Sequence, residues 1–183
     1  DTSSAFYTIA EIGINHNGRL EQAFELIKSA KKSGANAVKF QTYITEKRVS
    51  KDSPIFDILK KCELNYSEYE KLKDFSDELN IDFFSTPFDT DSVDFLNSLN
   101  VKFFKVASFD VNNFELLRKI VKKQKTIILS IGMANFEEIK KAYDFLILEN
   151  AKIVILHCVS SYPLNPKDAN LSVINNLKKN FDC

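Results

Sequence analysis

AVKFQT, residues 37–42, reads as a strand with a lysine in its middle. Side chains alternate across a strand, so Lys39 and Gln41 share one face while Val38 and Phe40 share the other. FFKVASFD, residues 103–110, repeats the feature with Lys105. An ammonium group buried without a partner costs several kcal/mol. Both lysines therefore need a face that opens onto water or an anion.

Around these two stretches, apolar runs alternate with amphipathic ones. Strands are expected over 7–12, 37–42, 82–86, 103–108, 126–130 and 153–158. Helices are expected over 20–32, 67–79, 91–99, 114–122, 136–148 and 171–179. Leu20, Ala23, Phe24, Ile27 and Ala30 fall on one helical face, and Gly34 follows where a left-handed residue usually closes a helix. Ser67 with Glu70 fits a capping box, and Asn135 with Glu138 is a looser version. Strict alternation means parallel strands joined by crossovers. Only 43–65 is a long connection, and long loops in such folds are usually functional.

Polar groups gather in the C-terminal half of every expected strand: Glu11, Lys39, Gln41, Ser85, Thr86, Lys105, Ser108, Ser130 and His157. An open doubly wound sheet would collect them mainly at its switch point. A βα barrel, whose inner face opens at the C-terminal end of its strands, accounts for all of them with one geometry. The expected fold class is α/β, a (β/α)8 TIM barrel with about six βα units present. A complete barrel needs eight strands and about 250 residues. Residues 1–183 are therefore expected to be the N-terminal part of a longer protein, without its last two βα units.

Hydrophobic residues make up 44% of the 183, charged residues 27%, and the formal net charge is zero. Neither nucleic acid nor a membrane surface is an expected partner. No apolar run approaches the ~20 residues of a membrane span. The N-terminal stretch lacks a basic segment followed by an apolar one, so no signal peptide is expected. Cys62, Cys158 and Cys183 are far apart and without zinc-site spacing. They are expected to be reduced thiols of a cytoplasmic protein.

Two lysines and several hydroxyls at strand ends suit an oxygen-rich anion, phosphate or carboxylate. The plainer alternative is a surface salt-bridge network. Glu11 reads either as the partner of one lysine or as part of the site. His157 reads equally as a satisfied core histidine, and His16, in a polar turn, as a loop residue.

Six stretches occur in order, each on a strand end: IAEIGINHNG (9–18), AVKFQTY (37–43), FFSTPFD (83–89), FFKVASFD (103–110), ILSIGM (128–133) and LHCVSSYP (156–163). Together they resemble the N-acetylneuraminate (sialic acid) synthase family, including its pseudaminic and legionaminic acid synthase relatives. The resemblance covers about residues 7–181. It implies a barrel enzyme, a transferase of sialic acid and carbohydrate biosynthesis. Such an enzyme condenses phosphoenolpyruvate with an N-acyl amino sugar, most simply N-acetylmannosamine, to give N-acetylneuraminate and phosphate. It also implies a homodimer when full length, and a small C-terminal antifreeze-like domain that is absent here.

Carried over residue by residue, the phosphoenolpyruvate set is Lys39, Thr86, Lys105, Ser108 and Ser130. Gln41, Phe88, Asp110 and Tyr162 match positions near the sugar, and Ser160 joins the substrate-binding group. Glu11, Lys39, Lys105 and Asp110 are the residues the resemblance marks as catalytic. A divalent metal, Mn2+ or Mg2+, is implied for the full-length enzyme, with histidine ligands expected downstream of Cys183. The 183 residues alone are therefore expected to be inactive. Phe109 departs from the glycine that many sialic acid synthases carry there. Ser-Phe-acid is closer to the pseudaminic branch, so a diacetamido-trideoxy hexose is an alternative substrate. A non-catalytic phosphate-binding barrel is the alternative of another class.

Overall fold

The computed structural model describes residues 6–182. Cys183 and the leader reading of residues 1–5 lie outside them. The chain divides into two compact units, with the boundary between Lys102 and Phe103.

In the first unit, β1 (Ile9–Gly13), β2 (Ala37–Thr42) and β3 (Asp82–Pro87) run parallel with β2 in the middle. Glu11 stands opposite Lys39, and the ladder then bulges before Gly13. Gln41 stands opposite Thr86. The crossovers are α1 (Leu20–Lys32), then α2 (Thr45–Arg48), α3 (Phe56–Cys62) and α4 (Tyr66–Glu78) between β2 and β3. Helix α5 (Thr90–Ser98) follows β3. Phe40 and Phe83 from the strands meet a core that includes Ile27, Tyr69, Leu72, Val93 and Leu96, all buried, while Phe84, in register with Lys39, is buried on the other face. Each such side chain is worth about 1.5–3 kcal/mol relative to exposure.

In the second unit, β4 (Phe103–Val106), β5 (Thr126–Ser130) and β6 (Ile153–Leu156) are again parallel, with β5 central. Its helices are α6 (Phe114–Val121), α7 (Phe136–Leu148) and α8 (Val173–Asn180). Leu116, Leu117, Ile120 and Leu146 are buried in this unit with Phe104, Ile127 and Leu129.

The architecture is α/β with six parallel strands among the described residues, three in each unit. A closed eight-stranded barrel is not formed by them. The 43–65 connection is also not an open loop, because α2 and α3 occupy much of it. The expected capping box at Ser67 and Glu70 is shifted by two residues. Asn65 accepts the Glu68 N–H at 3.0 Å, and the Glu68 carboxylate takes the Asn65 N–H at 2.8 Å. Ser67 instead donates to Asn65 Oδ1. The Asn135 and Glu138 pair is a complete box. With few glycines available, helix ends use asparagine. Asn80, Asn100 and Asn150 follow α4, α5 and α7 at φ of 51°, 51° and 56°. Asparagine is the residue other than glycine that reaches this conformation most readily.

Candidate active site

The same construction appears at the C-terminal strand ends of both units. Lys39 Nζ donates to the carbonyl of the next residue, Phe40, at 3.1 Å and to Thr86 Oγ1 at 2.9 Å. Lys105 Nζ donates to the carbonyl of its next residue, Val106, at 2.7 Å and to Ser130 Oγ. The register explains the match. Lys39 pairs with Phe84 and Lys105 with Ile128, and in each case the hydroxyl lies two residues further along the neighbouring strand. Two residues on is the same face, so each lysine leans toward the C-terminal edge and meets a hydroxyl there.

Both lysines are buried, and so are Thr86 and Ser130. Glu11 Oε1 lies 3.0 Å from Lys39 Nζ, with its own side chain 60% exposed. The pairing reading of Glu11 therefore holds, and it places the carboxylate at a wet edge. Burial pushes the Lys39 ammonium below the ordinary lysine value. Glu11 pulls it back up in part, and the Arg48 charge adds a smaller downward push. A lysine in that condition gives up a proton more readily than one in water.

Beside this pair stands an arginine that the motifs did not single out. The Arg48 guanidinium lies 3.7 Å from the Phe88 ring centroid and 4.6 Å from that of Tyr43. Its Nη1 donates to Gln41 Oε1 at 3.2 Å. Phe88, expected near the sugar, thus carries a guanidinium on one ring face. Only tertiary stacking reveals Arg48; its local sequence, TEKR, looks like an ordinary charged helix turn.

In the second unit, Ser108 Oγ accepts the Gly132 N–H at 3.0 Å and lies 3.3 Å from Cys158 Sγ. Burial pushes the Cys158 thiol up. Hydrogen bonds with Ser108, Ser130 and the backbone of Ile131 and Gly132 outweigh that and hold it below the usual thiol value. A Cβ on Gly132 would stand 2.6 Å from the Cys158 carbonyl oxygen and 3.0 Å from Ser160 Oγ, so only glycine fits there. In the sequence Cys158 was legible as a reduced thiol and as one residue of the LHCVSSYP stretch, not as a partner of Ser108. Cys62 and Cys158 are free thiols.

The remaining expected residues are placed less centrally. Asp110 is buried, and its Oδ1 accepts from Asn113 Nδ2 at 3.0 Å. Phe109 beside it is 56% exposed, and Tyr162 is exposed. His157 Nε2 lies 2.7 Å from the Ala169 carbonyl, as a satisfied histidine would. His16 lies in a turn, as a loop residue would, but it is not exposed. Its ring is fully buried near Phe40, with Nδ1 accepting the Gly18 N–H. Among the described residues no three His, Cys, Asp or Glu side chains stand together as a metal site requires.

Fold and site together define an α/β protein whose parallel strands carry paired lysines and hydroxyls near their C-terminal ends. More particularly, residues 26–183 match the NeuB family, and the chain belongs to that family. It is 45% identical to an uncharacterised protein of Methanocaldococcus jannaschii, over 96% of this chain and 52% of the relative. It is 40% identical to the N,N'-diacetyllegionaminic acid synthase of Campylobacter jejuni, over 94% of this chain and 57% of that one. The crystal structure of N-acetylneuraminic acid (sialic acid) synthetase from Leptospira borgpetersenii in complex with citrate superimposes with a TM-score of 0.94 at 38% identity. That match covers 97% of this chain and 62% of the other. The chain spans about half the length of the curated relatives it matches. Among the described residues no helix is long and apolar enough to cross a membrane.

Proposed function

We propose that the protein of which this chain is part condenses phosphoenolpyruvate with the open-chain form of an N-acyl amino sugar. The products are a nine-carbon 2-keto-3-deoxy sugar acid and phosphate. The observation that carries this reading is the repeated lysine–hydroxyl pair, Lys39 with Thr86 and Lys105 with Ser130, in a member of the NeuB family. Phosphoenolpyruvate offers a phosphate and a carboxylate, and either group suits a lysine with a hydroxyl beside it. Its C3 is the nucleophile, so the protein need not supply one. C3 attacks the aldehyde carbon, water adds at C2, and the C2–O bond to phosphate breaks as the new C2 hydroxyl passes its proton to the departing phosphate and becomes the ketone.

The protein's own work is holding charge and moving protons. The aldehyde oxygen takes up a proton as the C–C bond forms. Lys39, held below the ordinary lysine value and bridged to Glu11, is the donor. The water that adds at C2 releases a proton, and the Glu11–Lys39 pair at its exposed edge returns to its starting state. Lys105 with Ser130 suits an anionic oxygen in the same way.

N-acetylmannosamine is the simplest sugar for this site. A diacetamido-trideoxy hexose is the second reading, favoured by the exposed Phe109 ring beside Asp110 and by the likeness to a legionaminic acid synthase. The test incubates the full-length protein with phosphoenolpyruvate and each sugar, reading phosphate release and product mass. Lys39→Met and Lys105→Met should each lower kcat/KM by about a hundredfold or more, with unchanged far-UV circular dichroism. Phosphoenolpyruvate binding without turnover of any sugar would favour a non-catalytic phosphate-binding protein instead.

A further inference from the structure

We propose that Arg48 is a positioning residue that sets which end of the Gln41 amide faces an incoming amino sugar. The inference rests on the reading of Gln41 as a sugar-side residue, and it deepens that reading by giving the site a defined polarity. A glutamine amide has an accepting end and a donating end of nearly equal shape, and its neighbours decide between them. Arginine can only donate. With Nη1 3.2 Å from Gln41 Oε1, Arg48 fixes the oxygen inward. The opposite end lies near Gly13. A Cβ built on Gly13 would stand 3.5 Å from Gln41 Nε2 and 3.2 Å from Glu11 Oε1. The amide nitrogen and the carboxylate therefore flank one point, where a carboxylate favours the donating end.

Arg48 itself is held still. Its guanidinium carbon lies over the Phe88 ring and within reach of Tyr43, whose hydroxyl is tied to the Leu59 carbonyl at 2.9 Å. Lysine could keep the charge near the rings, but it lacks the planar fork that stacks and donates at once. Gln41 then presents N–H groups beside Gly13. Those groups suit an acceptor on the substrate, the acyl carbonyl or a hydroxyl oxygen of an N-acyl amino sugar. They do not suit phosphoenolpyruvate's need for positive charge, which the lysines meet.

The experiment uses the full-length protein and the variants Arg48→Met, Arg48→Lys, Gln41→Ala and the double variant Arg48→Met/Gln41→Ala. The first readout needs no substrate. In side-chain amide NMR spectra the Gln41 pair should be well dispersed in the wild type and should move to the position of a mobile amide in Arg48→Met. An unmoved Gln41 signal overturns the proposal. The second readout is kinetic. Arg48→Met should raise the KM for the amino sugar about tenfold, with kcat and the KM for phosphoenolpyruvate within about twofold. Arg48→Lys should not restore it. In the Gln41→Ala background the Arg48 change should add almost nothing, because both remove the same contact. Additive losses would mean that Arg48 meets the substrate directly, and equal rises in both KM values would mean a structural role; either overturns the proposal. Wild-type protein that turns over no amino sugar would defeat the proposed function, while the NMR readout would still decide the role of Arg48.

Discussion

Asp89 ties the start of α5 to the segment that carries Arg48, and Asp89→Ala should show how much that tie is worth. Asp89 Oδ1 accepts the Ser92 N–H at 2.8 Å, capping α5. Its Oδ2 accepts the Ile44 N–H at 3.2 Å and the Ser92 hydroxyl at 2.7 Å. Ile44 is the N-cap residue immediately before α2. Loss of an N-cap costs about 1 kcal/mol. Leaving the partly buried Ile44 N–H without an acceptor costs about 1–3 kcal/mol more. The expected loss is therefore about 3 kcal/mol. Asp89→Asn keeps one oxygen for the cap but turns an amide NH2 toward a donor, so its loss should be smaller, about 1–2 kcal/mol. Urea unfolding with a constant m-value gives both numbers. In the alanine variant the KM for the amino sugar should also rise, because the start of the Arg48 helix is freed. A loss below about 0.5 kcal/mol for alanine, the range of ordinary surface changes, would refute the reasoning. So would an asparagine variant weaker than the alanine one.

Gly18→Ala should be costly for steric reasons. Gly18 has φ +72°, and a Cβ there would lie 2.0 Å from the Lys61 carbonyl oxygen. Left-handed strain of about 1–2 kcal/mol and overpacking of about 1–3 kcal/mol add to a loss near 3 kcal/mol by urea unfolding; a change within error would show that α3 yields freely. Burial lowers His16 from 6.5 to about 4, with only partial opposition from the Gly13 backbone. A base lowered on folding contributes stability that is complete above 6.5 and is lost as pH falls through about 4. That loss is on the order of 3 kcal/mol. His16→Asn, which keeps an acceptor for the Gly18 N–H, should flatten stability against pH over that window, and an unchanged slope would assign the loss to other groups.

Long periodic segments were legible because their periods are local. Strands β2 and β5 and helices α1 and α7 occupy the ranges expected of them. Strand β4 stops two residues early because Ser108–Asp110 winds into a single 3-10 turn, which a β-like composition does not announce. The shifted cap on α4 had two candidates of the same spacing, Asn65 with Glu68 and Ser67 with Glu70. The pattern does not choose between them, but Ser67 donating to Asn65 does. Helices α2 and α3 are too short to display a helical period. The lysines stood out because a charge inside an apolar strand demands a reason. Arg48 and the burial of His16 were hidden because aromatic rings distant in sequence create both.

The lysine–hydroxyl pairs also bear on the thermodynamic character of the anion binding proposed above. A lysine on an open surface carries about 2 kcal/mol of rotamer entropy, part of which is lost when it closes on a ligand. Lys39 and Lys105 have already surrendered that freedom on folding, because each ammonium is anchored to the carbonyl of the residue that follows it. An arriving anion meets charges whose coordinates are set by main chain rather than by a flexible stem. Little disorder remains to be lost at that moment, so the free energy of each contact can appear as affinity instead of being consumed in ordering the receptor. The strand ladder is thus part of the ligand chemistry, since it holds the charges in place before any ligand arrives.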